Sequence, residues 1–309
     1  MQNKKHKFTI SSDDSKKRLD HFLNEMLIDY SRKKIKKVID SGGVYVNKKR
    51  ALIASYALLD GDSVEFYDDL VKTNLKLNKS DILYEDEHII CINKPANVPT
   101  QATYSSIKGT VLEMVEEHYK SQKKKQYVRL IHRLDKGTTG VLLLSKTPDA
   151  NKDLTAQFRE KKMQKEYLAI VHGAIKQKTG KIDTFIAKVK GRYNKYENVR
   201  DGGKRAMSNY TVKNSFKKYS LVIVRPETGR SHQIRVHMSH IGHPILGDEL
   251  YGGKTRMVIK KGEELIDMNI SRAMLHAHML TLTHPKSKKK LKLTAKLPDD
   301  MNNIIQLLK

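Results

Sequence analysis

The 309-residue chain has a single cysteine, Cys91, and no tryptophan. One thiol can form neither a disulfide nor a thiolate zinc cluster within its own chain. With no Trp and only 6 Phe, the aromatic platforms on which single-strand-binding proteins stack bases are poorly supplied. No apolar run approaches the roughly 18 residues of a membrane-spanning helix. The opening residues, MQNKKHKFTISSDD, lack the apolar core of a signal peptide. These absences lead us to expect a soluble, cytoplasmic protein without a membrane partner, and a monomer. Charge of one sign is also scarce: 34 Asp+Glu stand against 60 Lys+Arg, a formal charge of +26. The basic residues recur along the whole chain, a field suited to a polyanion.

The length allows two domains, each burying its own core. Leu19, Phe22, Leu23, Met26, Leu27 and Tyr30 recur at three-and-four spacing and predict a helix over 19–30. Ser31 is placed to cap a second helix, SRKKIKKVID. This helix puts Ile35, Val38 and Ile39 on one face and Arg32, Lys33, Lys36 and Lys37 on the other, and Gly42 and Gly43 stop it. VYVN and GDSVEF follow as short strands, and residues 67–79 read as a linker. From about residue 80 short apolar strands separated by loops dominate: HIICINKP, GVLLLSK, EYLAIVHG, YSLVIVRPE, MLTLTH and KLKLTAKL. Few helices intervene, which argues against a parallel βαβ sheet and for a mixed, mainly antiparallel α+β domain. The helices expected there are TPDANKDLTAQFREKK, with Thr147 as cap and Pro148 at its first position, SHQIRVHMSHIG and DDMNNIIQLL. The expected division is a small domain at 1–66, a linker at 67–79 and a large domain at 80–309.

Residues 129–146, RLIHRLDKGTTGVLLLSK, set one carboxylate, Asp135, between Arg133 and Lys136, ahead of a turn and an apolar strand. An Asp before Lys-Gly is ordinarily a turn-former that bonds its own backbone. Here its neighbours are basic and hydroxylic, and a carboxylate in such company can serve as a nucleophile or a base.

HRLDKGTTG resembles the central motif of the RluA-type pseudouridine synthases, usually His-Arg-Leu-Asp-Lys-Asp-Thr-Ser-Gly. EDEHIICINKPANVPT (85–100), KEYLAIVHG (165–173), ETGRSHQIRVHMSHIGHPILGD (227–248) and RAMLHAHMLTLTHP (272–285) match further blocks in order. SRKKIKKVIDSGGVYVNKK, within about 16–66, resembles the S4 RNA-binding module. The resemblance implies the pseudouridine synthase fold preceded by a small S4-like α/β domain. It also implies isomerisation of uridine within RNA, without a cofactor or metal. Asp135 is then the catalytic carboxylate, acting by addition to the sugar or by proton removal from it. Tyr167 lies over the uracil and helps remove the C5 proton. Arg235 pairs with Asp135 through a two-pronged contact. Arg133 is expected to fill the gap left by the extracted base; Arg230, Arg32, Lys33, Lys36 and Lys37 are expected to meet RNA phosphate. Large-subunit ribosomal RNA is the expected substrate, with transfer RNA the alternative. The rival classes are a non-catalytic RNA-binding protein and a basic DNA-binding protein. Gly137, Thr139 and Asn97 depart from the family pattern, where Asp, Ser and Gly are usual. The crowd of histidines (232, 237, 240, 243, 276, 278, 284) lacks a zinc-protease spacing, so no metal is expected.

Overall fold

The computed structural model describes residues 5–40, 42–51, 53–67, 76–102, 109–189, 195–261 and 264–309. The chain divides into two compact units, Met1–Lys76 with Pro99–Ser121, and Leu77–Val98 with Gln122–Lys309. Most of the expected linker, residues 68–75, lies outside the described residues.

The first unit contains β1 (Lys5–Thr9), α1 (Leu19–Met26), α2 (Arg32–Asp40), β2 (Val44–Val46), β3 (Lys49–Arg50), β4 (Ser63–Tyr67) and α3 (Val111–Ser121). Its four strands run in the order β1-β4-β2-β3. Phe22 and Leu23 of α1 and Ile35 and Ile39 of α2 are buried in one cluster with Val44, Val64 and Phe66 of the sheet. The helix expected over 19–30 ends at Met26. Leu27 and Tyr30 remain buried, but the chain must turn here so that Ser31 can cap α2, where its hydroxyl accepts from the Lys34 N–H at 3.3 Å. Gly42, at φ 73°, closes α2 in a left-handed conformation that favours glycine.

The second unit contains β5 (Ile82–Glu85), β6 (Ile89–Lys94), β7 (Arg129–Leu130), β8 (Thr139–Ser145), α4 (Pro148–Arg159), β9 (Gln164–His172), β10 (Thr179–Lys188), β11 (Tyr196–Val199) and β12 (Lys204–Ser215). It continues with β13 (Tyr219–Pro226), α5 (Gln233–His240), β14 (Arg256–Lys261), β15 (Glu264–Asn269), β16 (Leu275–Thr283), β17 (Lys290–Thr294) and α6 (Asp299–Leu308). An 11-stranded sheet runs β11-β10-β12-β13-β9-β16-β8-β6-β5, with β17 on β16 and β7 on β8. β16 and β8 are parallel and the other described pairs in this sheet are antiparallel, giving the expected mixed, mainly antiparallel sheet. The β9 run Leu168–Val171 is buried throughout, which explains why these residues read as continuous rather than alternating apolar sequence. Leu221 and Val222 of β13, Ile234 and Met238 of α5 and Ile304 of α6 share its cluster. Thr147 caps α4 by accepting from the Ala150 N–H, with Pro148 at the first position.

The parallel β8–β16 pairing is unusually close at its first step. His276 pairs with Thr139 and Ala277 with Gly140. A Cβ at Gly140 would stand 2.1 Å from the Ala277 carbonyl oxygen, and the residue holds φ at +109°. Both observations demand glycine. Gly140→Ala should cost about 3 kcal/mol or more and lower the melting temperature by roughly 6–12 °C; a melt within about 2 °C of the parent would refute this account of the junction.

Candidate active site

Asp135 lies in the loop joining β7 to β8, and that loop is fixed largely through its backbone. His132 is buried and its Nε2 accepts from the Leu143 N–H at 3.2 Å, while its ring stacks on Phe158 at 6.0 Å between centroids. Burial pushes this imidazole down to about 3, with the Lys165 charge adding to the effect, so it stays a neutral acceptor. Lys94, wholly buried at 0 % exposure, donates through Nζ to the carbonyls of Pro95 at 2.8 Å and Lys136 at 3.1 Å. Arg272 Nη1 donates to the Gly137 carbonyl at 3.1 Å. Its Nε and Nη2 grip Asp300 at the start of α6, at 2.7 and 2.8 Å. Thr139 Oγ1 and His276 Nδ1 are 2.8 Å apart. Two buried cations thus hold consecutive carbonyls immediately after Asp135. A Cβ at Gly137 would meet Arg272 Cβ at an ordinary 3.6 Å, so the glycine found where the family usually has Asp leaves that hold intact.

A second element brings the counter-charge. Gln233 at the start of α5 is buried; its Oε1 accepts from Thr228 Oγ1 at 2.7 Å and its Nε2 donates to the Met207 carbonyl at 2.9 Å. This pins the helix start to β12 and aims Arg235, two residues on. Arg235 Nη1 donates to Asp135 Oδ2 at 3.2 Å. The two-pronged contact expected between these residues is instead made with Asp248, Nε to Oδ2 at 2.7 Å and Nη2 to Oδ1 at 2.8 Å. Asp248, with 1 % of its side chain exposed, takes the Nε/Nη2 fork; Asp135, with 33 % exposed, receives an N–H of Nη1. Burial opposes the Arg235 charge, but the Asp248 hydrogen bonds and both carboxylates outweigh it and hold its pKa above the ordinary value. The Arg235 guanidinium also lies 4.9 Å from the Tyr251 ring centroid.

Tyr167 enters from β9, opposite Val224 of β13 and Ala277 of β16. Its side chain is half-buried. Desolvation, and then the Asp135 charge, push its phenol well above the ordinary tyrosine range. Asp135, Arg235 and Tyr167 therefore meet electrostatically. Arg133 is exposed beside Asp135, and Arg230 Nε donates to the Arg205 carbonyl at 3.0 Å on an exposed rim. In the first unit Lys33, Lys36 and Lys37 are exposed on α2, while Arg32 contacts His21 Nε2. Among the described residues no three His, Cys, Asp or Glu side chains gather as a metal set. The histidines have separate partners: His243 Nδ1 meets the His172 carbonyl at 2.8 Å and His284 Nε2 meets Asp86 at 2.7 Å.

Sequence reasoning did not single out Lys94, Asp248 or Arg272, and it named His232 only among histidines set aside as metal ligands. All four lie inside blocks that carried the resemblance, and their roles come from contacts across the fold.

Residues 88–240 match the family profile described as RNA pseudouridylate synthase, and residues 17–64 match the S4 domain. Ribosomal large subunit pseudouridine synthase D of Pasteurella multocida is 36 % identical over 300 residues, covering 94 % of this chain and 91 % of the relative. The chain belongs to the RNA pseudouridylate synthase family. Ribosomal large subunit pseudouridine synthase C of Buchnera aphidicola is 34 % identical over 306 residues, 94 % of each chain. The solved structure of human RNA pseudouridylate synthase domain containing 4 superposes with a TM-score of 0.60 at 26 % identity, covering 74 % of this chain and 93 % of that one. The protein is an RNA pseudouridine synthase, an isomerase with an S4 domain at its N-terminal end. Among the described residues, no helix is long and apolar enough to cross a membrane.

Burial lowers the Lys94 ammonium to about 7; the Asp135 charge opposes this and the Arg272 charge adds to it. A lysine that folds into such a site binds its proton less readily than in the unfolded chain. Its burial penalty is therefore complete below about pH 7 and is lifted as pH rises toward about 10.5. Across that window Lys94 makes stability rise with pH by at most about 1.4 kcal/mol per unit. Lys94→Met should remove this contribution, so the difference in stability between parent and variant should shift in favour of the parent as pH rises through the window. Parallel curves from denaturant titrations at several pH values would contradict the assignment.

Proposed function

We propose that the enzyme isomerises uridines in large-subunit ribosomal RNA, with Asp135 as the reacting carboxylate, in the cytoplasm and as a monomer. The observation that supports Asp135 is its partial exposure on a rigid loop with an ion pair to a buried arginine. Such a carboxylate is open to a ribose on one side and fixed on the other. The ribosomal assignment follows from the substrates named for the relatives and from the S4 domain. In this division of labour residues 1–66 grip structured RNA and 80–309 carry out the chemistry.

Isomerisation breaks the bond between N1 of the base and C1′ of the ribose, joins C5 to C1′, removes the C5 proton and protonates N1. No electrons are gained or lost, and one carboxylate suffices at the sugar. Asp135 supplies it by addition at the ribose or by taking a ribose proton; Arg235 fixes its orientation throughout. Tyr167, held as a neutral phenol, can accept the C5 proton only while releasing its own, so it acts as a relay. A uridine must leave its stack to reach this site, and Arg133, exposed beside Asp135, is placed to fill the gap. Arg230 serves phosphate at the rim.

Asp135→Asn keeps size and removes charge. Pseudouridine formation should fall by more than about a thousandfold while RNA affinity is retained, and single-turnover conversion within about tenfold of the parent would remove Asp135 from the chemistry. Mapping pseudouridines in a strain lacking the gene should show losses in 23S-type RNA; losses confined to transfer RNA would overturn the substrate. For the basic face of α2, replacing Lys33, Lys36 and Lys37 together by Ala should flatten the log-log salt dependence of RNA binding by roughly 0.7–0.9 for each phosphate that the variant no longer neutralises. An unchanged slope would leave that face without a part in binding.

A further inference from the structure

His232 precedes α5 and is the cap position of that helix, yet its side chain makes no capping bond and its backbone holds φ at 53° and ψ at 18°. A non-glycine residue in the left-handed region is strained, and such residues concentrate where a side chain is needed at a site. Its Nε2 stands 3.9 Å from Asp135 Oδ2, the oxygen that Arg235 Nη1 also approaches, at 3.2 Å. Its Nδ1 is 2.7 Å from the Tyr251 hydroxyl.

The proton on this imidazole can be placed from its partners. The Tyr251 oxygen accepts the Tyr196 backbone N–H at 3.0 Å. Directing its own O–H to His232 Nδ1 then gives both groups a donor and an acceptor, which assigns Nδ1 as the unprotonated nitrogen. Nε2 consequently carries the hydrogen and faces Asp135. Burial, opposed by the Asp135 charge and reinforced by that of Arg235, lowers the His232 pKa. The imidazole is therefore a neutral donor and adds no second full charge beside Arg235. The Tyr196 and Tyr251 rings both meet it edge-on, at 5.3 and 5.6 Å between centroids, which fixes its plane.

We propose that His232 is a positioning residue: its Nε2–H and Arg235 Nη1 form a two-point cradle for Asp135 Oδ2, so that Oδ1 is the oxygen presented to the ribose. The 3.9 Å separation exceeds a hydrogen bond, so the donor receives the carboxylate when Asp135 turns to engage the substrate. The chain Tyr196–Tyr251–His232 keeps that donor in the required tautomer. This inference rests on Asp135 being the reacting carboxylate.

Three full-length variants and one spectroscopic measurement test it. His232→Ala should slow single-turnover conversion by roughly ten- to a hundredfold with RNA affinity within about twofold of the parent. His232→Gln, whose amide nitrogen reproduces the Nε2–H, should recover to within about threefold of the parent. Tyr251→Phe, which frees the tautomer without removing the donor, should fall between them. Nitrogen-15 spectra of labelled histidine, with the His232 signal assigned by its loss in the Gln variant, should show Nδ1 unprotonated in the parent and a mixed tautomer in Tyr251→Phe. A Gln variant as slow as the Ala variant, a loss confined to RNA affinity, or a proton on Nδ1 would each overturn the proposal. Because the tautomer is read without turnover, an active Asp135→Asn protein would expose failure of the Asp135 role separately.

Discussion

Arg235 is shared unequally between two carboxylates, and the arrangement of the site follows from that division. A guanidinium largely removed from water needs its charge and its donors matched. Asp248 meets the fork with two short bonds and is itself almost wholly buried, so this pair is a fixed part of the fold. An N–H of Nη1 goes to Asp135, whose side chain stays partly open. Removing one member of such a buried pair typically costs about 3–5 kcal/mol, since the remaining charge is stranded. Asp135 is thus held by a single hydrogen bond from a guanidinium that Asp248 anchors.

The loop itself is constrained by two more deeply buried basic side chains. Lys94 and Arg272 hold the carbonyls of Lys136 and Gly137, while Gly140 lets β8 approach β16 within backbone contact. The loop that carries Asp135 is therefore fixed at its main chain, while the Arg133 side chain is exposed and that of Asp135 is partly so. A rigid main chain carrying a partly exposed, oriented side chain is the arrangement that favours preorganised chemistry.

Much of this was legible in the residues. The apolar runs marked β6, β8, β9, β13 and β16, because strands buried on both faces leave a continuous signal, and β17 was marked by its alternation of lysine and leucine. The Thr147–Pro148 start of α4 and the Ser31 start of α2 were local cap chemistry. β10 and β12 were not read: with one face largely exposed, TGKIDTFIAK and its partner carry too few apolar residues to mark a strand. Asn97, which departs from the glycine usual in the family, sits at φ 61°, a left-handed conformation that Asn tolerates better than most residues. The true partner of the Arg235 fork was invisible because Asp248 lies 13 residues away and ends a block where it looked like punctuation. Arg272 reaches Gly137 across 135 residues, a relation that no local pattern encodes.

Asp248 meets Arg235 and Arg235 meets Asp135, so a change at Asp248 reaches Asp135 through the guanidinium. Asp248→Asn preserves shape while replacing one acceptor oxygen by an N–H₂ group aimed at the guanidinium. The most direct measurement is the single-turnover rate constant of this variant at saturating RNA. The account predicts a fall of more than about tenfold, roughly 1.4 kcal/mol in the barrier, with RNA affinity unchanged. A rate constant equal to that of the parent would show that the fixed fork does not position Asp135 for the reaction.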